Sequence, residues 1–237
     1  AIDEIQFADD NLTFDMKASI EKFKKIKPLN ILWCTPNGTM VNKLSPELIQ
    51  VMTDSGMYQI TLSIDSANMR TLKELHHKPV KLNSVPGLIE KARELSVFIH
   101  GTLVVGMPGE TEETIIESAQ FHASLRLLLG MDLNTHHTSM VIAIPGTPLY
   151  EYCQQIGVIG KTLEEEEDYL IRMSEHGVTP ILNYLNKTNS SNKEVHYWKY
   201  LYVYAGKKAY VDLIIKNNKS IKNMLLQIYE RCIKEIG

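Results

Sequence analysis

Residues Val97-Phe98-Ile99-His100-Gly101-Thr102-Leu103-Val104-Val105-Gly106-Met107-Pro108-Gly109-Glu110-Thr111 decide the fold. An apolar, β-branched run enters a turn built from Gly106, Pro108 and Gly109. It then continues into Glu112-Glu113-Thr114-Ile115-Ile116, whose apolar spacing is helical. Glycine at 106 and 109 permits positive φ and close backbone approach, while Pro108 fixes φ. Thr111 is a candidate N-cap, with two carboxylates in the first turn behind it. A strand, a glycine-rich turn and a helix make one βα unit, and ligands in β/α proteins sit at the carboxyl ends of strands. Taken alone, the octet Val104–Thr111 fits a plain connection and a ligand loop equally well.

The same unit recurs on both sides. Ile2–Ala8 alternates as a strand and ends in Asp9-Asp10-Asn11-Leu12-Thr13. Thr13 is placed to cap a helix from Phe14 to Lys27 that Pro28 stops. Asn30–Cys34 reads as a second strand opening into a Thr35–Gly38 turn. Ser45-Pro46-Glu47 starts a helix that Gly56 ends. Tyr58–Ile64 is a third strand ending at Asp65-Ser66, followed by helical pieces at Asn68–His76 and Leu82–Leu95. Val97–Val105 is the fourth strand, with a helix from Thr111 to Leu129. Asn134–Ile144 is the fifth, ending in Pro145-Gly146-Thr147-Pro148. Alternating strands and helices with short connections predict an α/β fold with a parallel sheet. Residues 161–237 change character. An acidic run at Glu164–Glu167 reads as a solvated helix start. A polar loop at Asn186–Asn192 precedes a long helix carrying Val195, Trp198, Leu201 and Tyr202, capped by Ser191 or Asn192, and a last helix reaches Glu235. The predicted organisation is a partial barrel over 1–160 and a helical extension over 161–237.

Composition narrows the function. The 237 residues are 44% hydrophobic and 22% charged, with a net charge of -3, which supports a sizeable core and disfavours a general nucleic-acid surface. A small-molecule substrate is therefore expected over nucleic acid. Cys34, Cys153 and Cys232 are widely spaced and form no metal-binding motif, which suits a reducing, cytoplasmic setting. No apolar run is long enough to span a membrane.

On the barrel reading, Asp9, Asp10 and Asp65 lie at one rim, with Glu110 either joining them or serving its helix dipole. Clustered carboxylates bind a cation, accept from an amine or hydroxyl, or exchange protons. Lys78, in a break between helical pieces, reads as an ordinary surface lysine on spacing alone. The pairs His76-His77 and His136-His137 point their side chains apart and do not chelate well, and no metal site is predicted. His100 faces the strand side opposite Ile99 and is a weak candidate for substrate contact.

In combination, four stretches resemble the radical S-adenosylmethionine (SAM) superfamily, nearest its cobalamin-dependent and methylthiotransferase-like branch. They are Ile5–Thr13, Gln59–Ser66, His100–Thr111 and Ile142–Tyr150, and the likeness covers residues 1 to about 157. The resemblance implies a partial TIM-like (β/α)6 barrel missing its first βα unit. It implies an enzyme that reductively cleaves SAM at a [4Fe-4S] cluster to start radical chemistry on an unidentified substrate. By position, Asp9 and Asp10 match contacts to the SAM amine, and Asp65 and Ser66 match the ribose-contacting strand end. Lys78 matches a partner of the SAM carboxylate. Gly106, Pro108 and Gly109 pass the adenine and ribose, and Ile142 and Ile144 flank the adenine.

The family's C-x-x-x-C-x-x-C loop is absent, so the resemblance places the cluster ligands outside this chain. It points to an upstream part of the same protein, where a cobalamin domain is also possible. The abrupt start inside a strand suggests a piece of a longer enzyme, inactive alone, with Ile2–Ala8 as an exposed edge. The alternatives are a degenerate, non-catalytic barrel acting as a scaffold, or an ordinary barrel enzyme using Asp9, Asp10, Asp65 and His100 in acid–base or metal-assisted chemistry.

Overall fold

The computed structural model describes residues 2–9, 11–78, 80–129, 136–174 and 186–218, together with 220, 223 and 227. Five strands form one sheet in the order of the chain: β1 (Glu4–Gln6), β2 (Leu32–Met40), β3 (Met57–Asp65), β4 (Phe98–Val105) and β5 (His136–Met140). Every neighbouring pair is parallel, so each connection must cross back over the sheet. Four helices lie in these crossovers: α1 (Met16–Ile26), α2 (Pro46–Asp54), α3 (Val85–Glu94) and α4 (Glu112–Leu129). The sheet curls into a half-barrel, the predicted partial TIM-like architecture.

The core lies between the sheet and these helices. Trp33 of β2 and Ile60, Leu62 and Ile64 of β3 meet Phe23, Leu48, Ile49, Met52, Leu88 and Ile89 from α1 to α3. Trp33 is the centre of this layer. Phe23 stacks on it at 5.0 Å, Phe7 meets it edge-on at 5.2 Å, and its Nε1 donates to the Ser55 carbonyl and hydroxyl at 3.1 Å each. Each such fully buried large side chain contributes about 1.5–3 kcal/mol.

Local chemistry corrects several predicted boundaries. Asp15, not Thr13, caps α1, accepting from the Ala18 amide at 3.0 Å. Pro28 ends α1 by drawing it into a short 3₁₀ turn, Lys27–Leu29. The predicted Thr35–Gly38 turn is a bulge inside β2: Thr35 pairs with Ile60 and Thr39 with Leu62. Pro36 has no N–H to offer the ladder and Gly38 adopts φ 92°, so the chain loops out and rejoins the sheet. Ser45 caps α2 as predicted, accepting from Leu48 N at 3.1 Å. Asn134 lies outside the described residues, and the observed β5 is shorter than the predicted strand.

The helices that follow β5 pack against one another and against α4. α5 (Pro148–Gln155) and α6 (Leu163–Ser174) are joined by a Tyr150–Glu166 hydrogen bond, and the Tyr169 hydroxyl donates to the Ala143 carbonyl at 2.8 Å. The acidic run is therefore more than a solvated face: Glu165 accepts from the Lys161 and Thr162 amides, and Glu166 holds Tyr150. α7 (Asn192–Asn217) opens with a Ser191/Glu194 capping box and sets Val195, Trp198, Leu201 and Tyr202 against Ile115 and Ala119 of α4. Tyr202 and His122 share a buried hydrogen bond across that interface. The helix predicted to reach Glu235 lies almost wholly outside the described residues. Among the described residues no helix is long and apolar enough to cross a membrane.

Candidate functional site

All five strands run the same way, so Asp9, Asp65, Gly106 and Ile142, each at or just past a strand's carboxyl end, line one edge of the sheet. Within that edge, two of the predicted residues come into contact. Asp65 accepts from Lys78 through one carboxylate oxygen and from Thr102 through the other. The pair is partly buried, with side-chain exposures of 12% for Asp65 and 25% for Lys78.

Two backbone features aim Asp65. The β3–β4 register slips between Leu62 and Asp65, so β3 carries an extra residue just before its end. Asp65 itself adopts φ 60°, a left-handed conformation that aspartate tolerates better than most residues. A bulge of this kind redirects a side chain at the rim of a sheet. Lys78 reaches the same point from the far side of a π-helical turn, Thr71–Leu75. Burial lowers the pKa of His76 between them; the Asp65 charge opposes that shift and Lys78 adds to it.

The opening turn is held from two sides. Glu110 is buried and accepts from the Gly106 and Met107 amides at 2.7 and 2.9 Å through a single carboxylate oxygen. Burial pushes its pKa up to about 7, against the pull of those two amides and of Arg70. Glu110 thus clamps its own turn instead of joining Asp9 and Asp65. Arg70 donates to the Gly109 carbonyl at 2.6 Å, tying the loop after β3 to the turn after β4. Gly106 and Gly109 adopt φ 98° and 85°, so both glycines are required by the turn.

Other predicted residues are placed differently. Ser66 is buried, its hydroxyl against that of Ser118 on α4 at 3.3 Å, while Ser118 also accepts from Ala67 N. Its side chain therefore braces the loop. Asp9 is exposed at the end of β1, and Asp10 lies outside the described residues. Pro108 is half-buried in the turn, Ile142 is half-buried and Ile144 is exposed, the last two just beyond β5. Thr102 and Arg70 escaped the sequence reading. Thr102 shares a strand face with His100, a period-two signal that was available; nothing in the sequence marks Arg70 as a grip on Gly109.

The donor set fits one of the two groups that the resemblance implies. An aspartate beside a lysine offers an acceptor for a hydroxyl or ammonium and a cation for a carboxylate, which suits the amino-acid end and ribose of SAM. A cluster fits poorly on this chain's own residues. Cys34 on β2 and Cys153 on α5 are both buried, and no trio of metal-ligating side chains occurs among the described residues.

The profile of the radical SAM superfamily matches residues 4–122. Cytidylyl-2-hydroxyethylphosphonate methyltransferase of Streptomyces wedmorensis is 41% identical over 175 residues, covering 67% of this chain and 33% of that protein. An uncharacterized methyltransferase of Pyrococcus horikoshii, PH0819, is 26% identical over 153 residues, 64% of this chain and 31% of its own length. The chain thus spans about a third of the length of the curated relatives it matches. In fold, it is similar to the radical SAM methyltransferase TsrM of Kitasatospora setae, solved with cobalamin and a [4Fe-4S] cluster. The TM-score is 0.54 at 14% identity, over 68% of this chain and 32% of that one. With half the chain inside the family profile and the strand edge arranged as described, this protein belongs to the radical SAM superfamily of enzymes.

Proposed function

We propose that this chain is the SAM-holding part of a cytoplasmic radical SAM methyltransferase acting on a small organic molecule. On this reading the cluster ligands and a cobalamin site lie outside residues 1–237. The observation that carries it is the 41% identity over 175 residues to a methyltransferase of a cytidylylated phosphonate. The contact between Asp65 and Lys78 at the carboxyl edge supports it.

SAM would supply the methyl group from one molecule and, by reductive cleavage of a second, the radical that activates the substrate. The chain's own residues bind and orient. Asp65 accepts from the ribose hydroxyls, held in place by Thr102. Lys78 turns from Asp65 towards the SAM carboxylate. Asp9 and Asp10 take the ammonium. The Gly106–Gly109 backbone, with Pro108, lies against the adenine and ribose, with Ile142 and Ile144 at the adenine's side. Ser66 contributes through its backbone and through the brace to Ser118.

The test uses the full-length protein, reconstituted anaerobically with iron and sulfide and given dithionite, methylcobalamin, methyl-labelled SAM and cytidylyl-2-hydroxyethylphosphonate. Release of 5′-deoxyadenosine together with label in the product is the expected result. Divalent-metal-dependent turnover without SAM consumption would favour an ordinary barrel enzyme. A full-length chain with no three clustered cysteines would sink the proposal.

A further inference from the structure

A groove of about 620 Å³ opens at the same edge of the sheet, one loop away from the Asp65–Lys78 pair. Its walls come from three segments: Asn42 in the turn after β2, Met69 and Lys73 after β3, and Val80-Lys81-Leu82-Asn83 leading into α3. Asn42 accepts from the Lys81 amide at 2.8 Å, which fixes the two walls at one separation. The π-helical turn that precedes Lys78 also carries Lys73, so groove and ion pair share one connecting segment.

The lining has a definite chemistry. Val80 is buried, and Met69 and Leu82 add apolar surface. Lys73 and Lys81 are the charged residues of the lining, and no aspartate or glutamate is among them. Neither lysine holds an ion pair among the described residues, whereas Lys24, Lys78, Lys91 and Lys208 all do. A concave surface carrying two cations and no anion, in a chain of net charge -3, concentrates positive potential against the protein's overall sign. Apolar walls beside a few convergent polar groups are the usual make-up of a small-molecule site. Two flexible ammonium groups suit the point charges of a phosphoryl or phosphonyl group.

We propose that this groove is the subsite for the phosphoryl- or phosphonyl-bearing end of an organic substrate. Lys73 and Lys81 neutralise the anion, and Met69, Val80 and Leu82 pack against its organic body. The assignment rests on the reading above that the substrate is a small molecule. It adds where the anionic end of that substrate is held and the side of the barrel from which it approaches.

Calorimetric titration of the full-length protein with cytidine 5′-monophosphate, cytidine and inorganic phosphate tests it, with SAM affinity measured on the same samples. The nucleotide should bind at least about tenfold more tightly than either part alone. The Lys73→Glu/Lys81→Glu double variant should lose about tenfold or more of that affinity. The charge-neutral Lys73→Gln/Lys81→Gln variant should lose less, and both should keep the wild-type melting temperature and SAM affinity. Nucleotide binding unchanged in the double variant, or inorganic phosphate bound as tightly as the nucleotide, would overturn the assignment. Nucleotide binding lost in the variant while wild type fails to bind SAM would support the groove and sink the radical SAM reading.

Discussion

Asp65 and Lys78, thirteen residues apart in sequence, meet at the carboxyl end of β3, where Thr102 of β4 holds the other carboxylate oxygen. The pair joins the sheet to the loop that leaves it. It also places a cation and an anion side by side at the carboxyl edge of the sheet.

Replacing Asp65 by Asn should separate charge from backbone. Asparagine accepts φ 60° as readily as aspartate, so the bulge survives while the ion pair is lost. A half-buried lysine left without its anion costs about 1–3 kcal/mol. Denaturant unfolding should show that loss, and SAM affinity of the full-length protein should fall about tenfold. Unchanged affinity would remove Asp65 from the site.

Glu110 should make stability fall as pH rises. Its pKa is raised by burial to about 7 in the fold, above the usual carboxylate range. Between about pH 4.5 and 7 the native state therefore holds a proton that the unfolded chain has released. Stability is greatest below that window and declines through it by at most about 3 kcal/mol, levelling off above pH 7. Glu110→Gln keeps one oxygen for the Gly106 and Met107 amides and carries no charge. Thermal melts from pH 5 to 8 should show the wild-type slope and a flatter variant. Parallel curves would refute the assignment.

Trp198 should anchor α7 without holding the barrel. It is fully buried in the layer with Ile115, Ala119 and Tyr202, separate from the layer around Trp33. Trp198→Ala should cost about 3–5 kcal/mol. Hydrogen exchange should rise across α7 and the outer face of α4 while α1 to α3 stay protected. Uniform loss of protection would mean that the two layers unfold as one.

The β1 edge should drive self-association. Among the described residues β1 pairs with β2 alone, and an unpaired parallel edge templates other chains. Sedimentation of residues 1–237 should show an oligomeric fraction that grows with concentration. Gln6→Lys, a charge on that edge, should reduce it. A monomer at all concentrations would refute the prediction.

The sequence by itself determined the alternation of strands and helices, the parallel sheet, and the edge on which Asp9, Asp65 and Gly106 fall. Those features follow from local spacing: period-two apolar runs, Ser45-Pro46 and Ser191 as caps, and glycines where a turn needs positive φ. Lys78 stood out by resemblance alone, since a lysine in a loop has no local signal. Only the tertiary structure decided that Lys78 reaches Asp65, that Thr102 supports it and that Arg70 grips Gly109. It also turned Ser66 towards Ser118, made Glu110 a clamp for its own turn, and carried β2 past Gly38. The Glu110 clamp is local, three and four residues from Met107 and Gly106, and only its burial comes from the fold; the other contacts depend on which distant segment arrives beside a given residue. That is set by the bulges in β2 and β3 and by helices packing across the sheet, and no window of local sequence contains both partners.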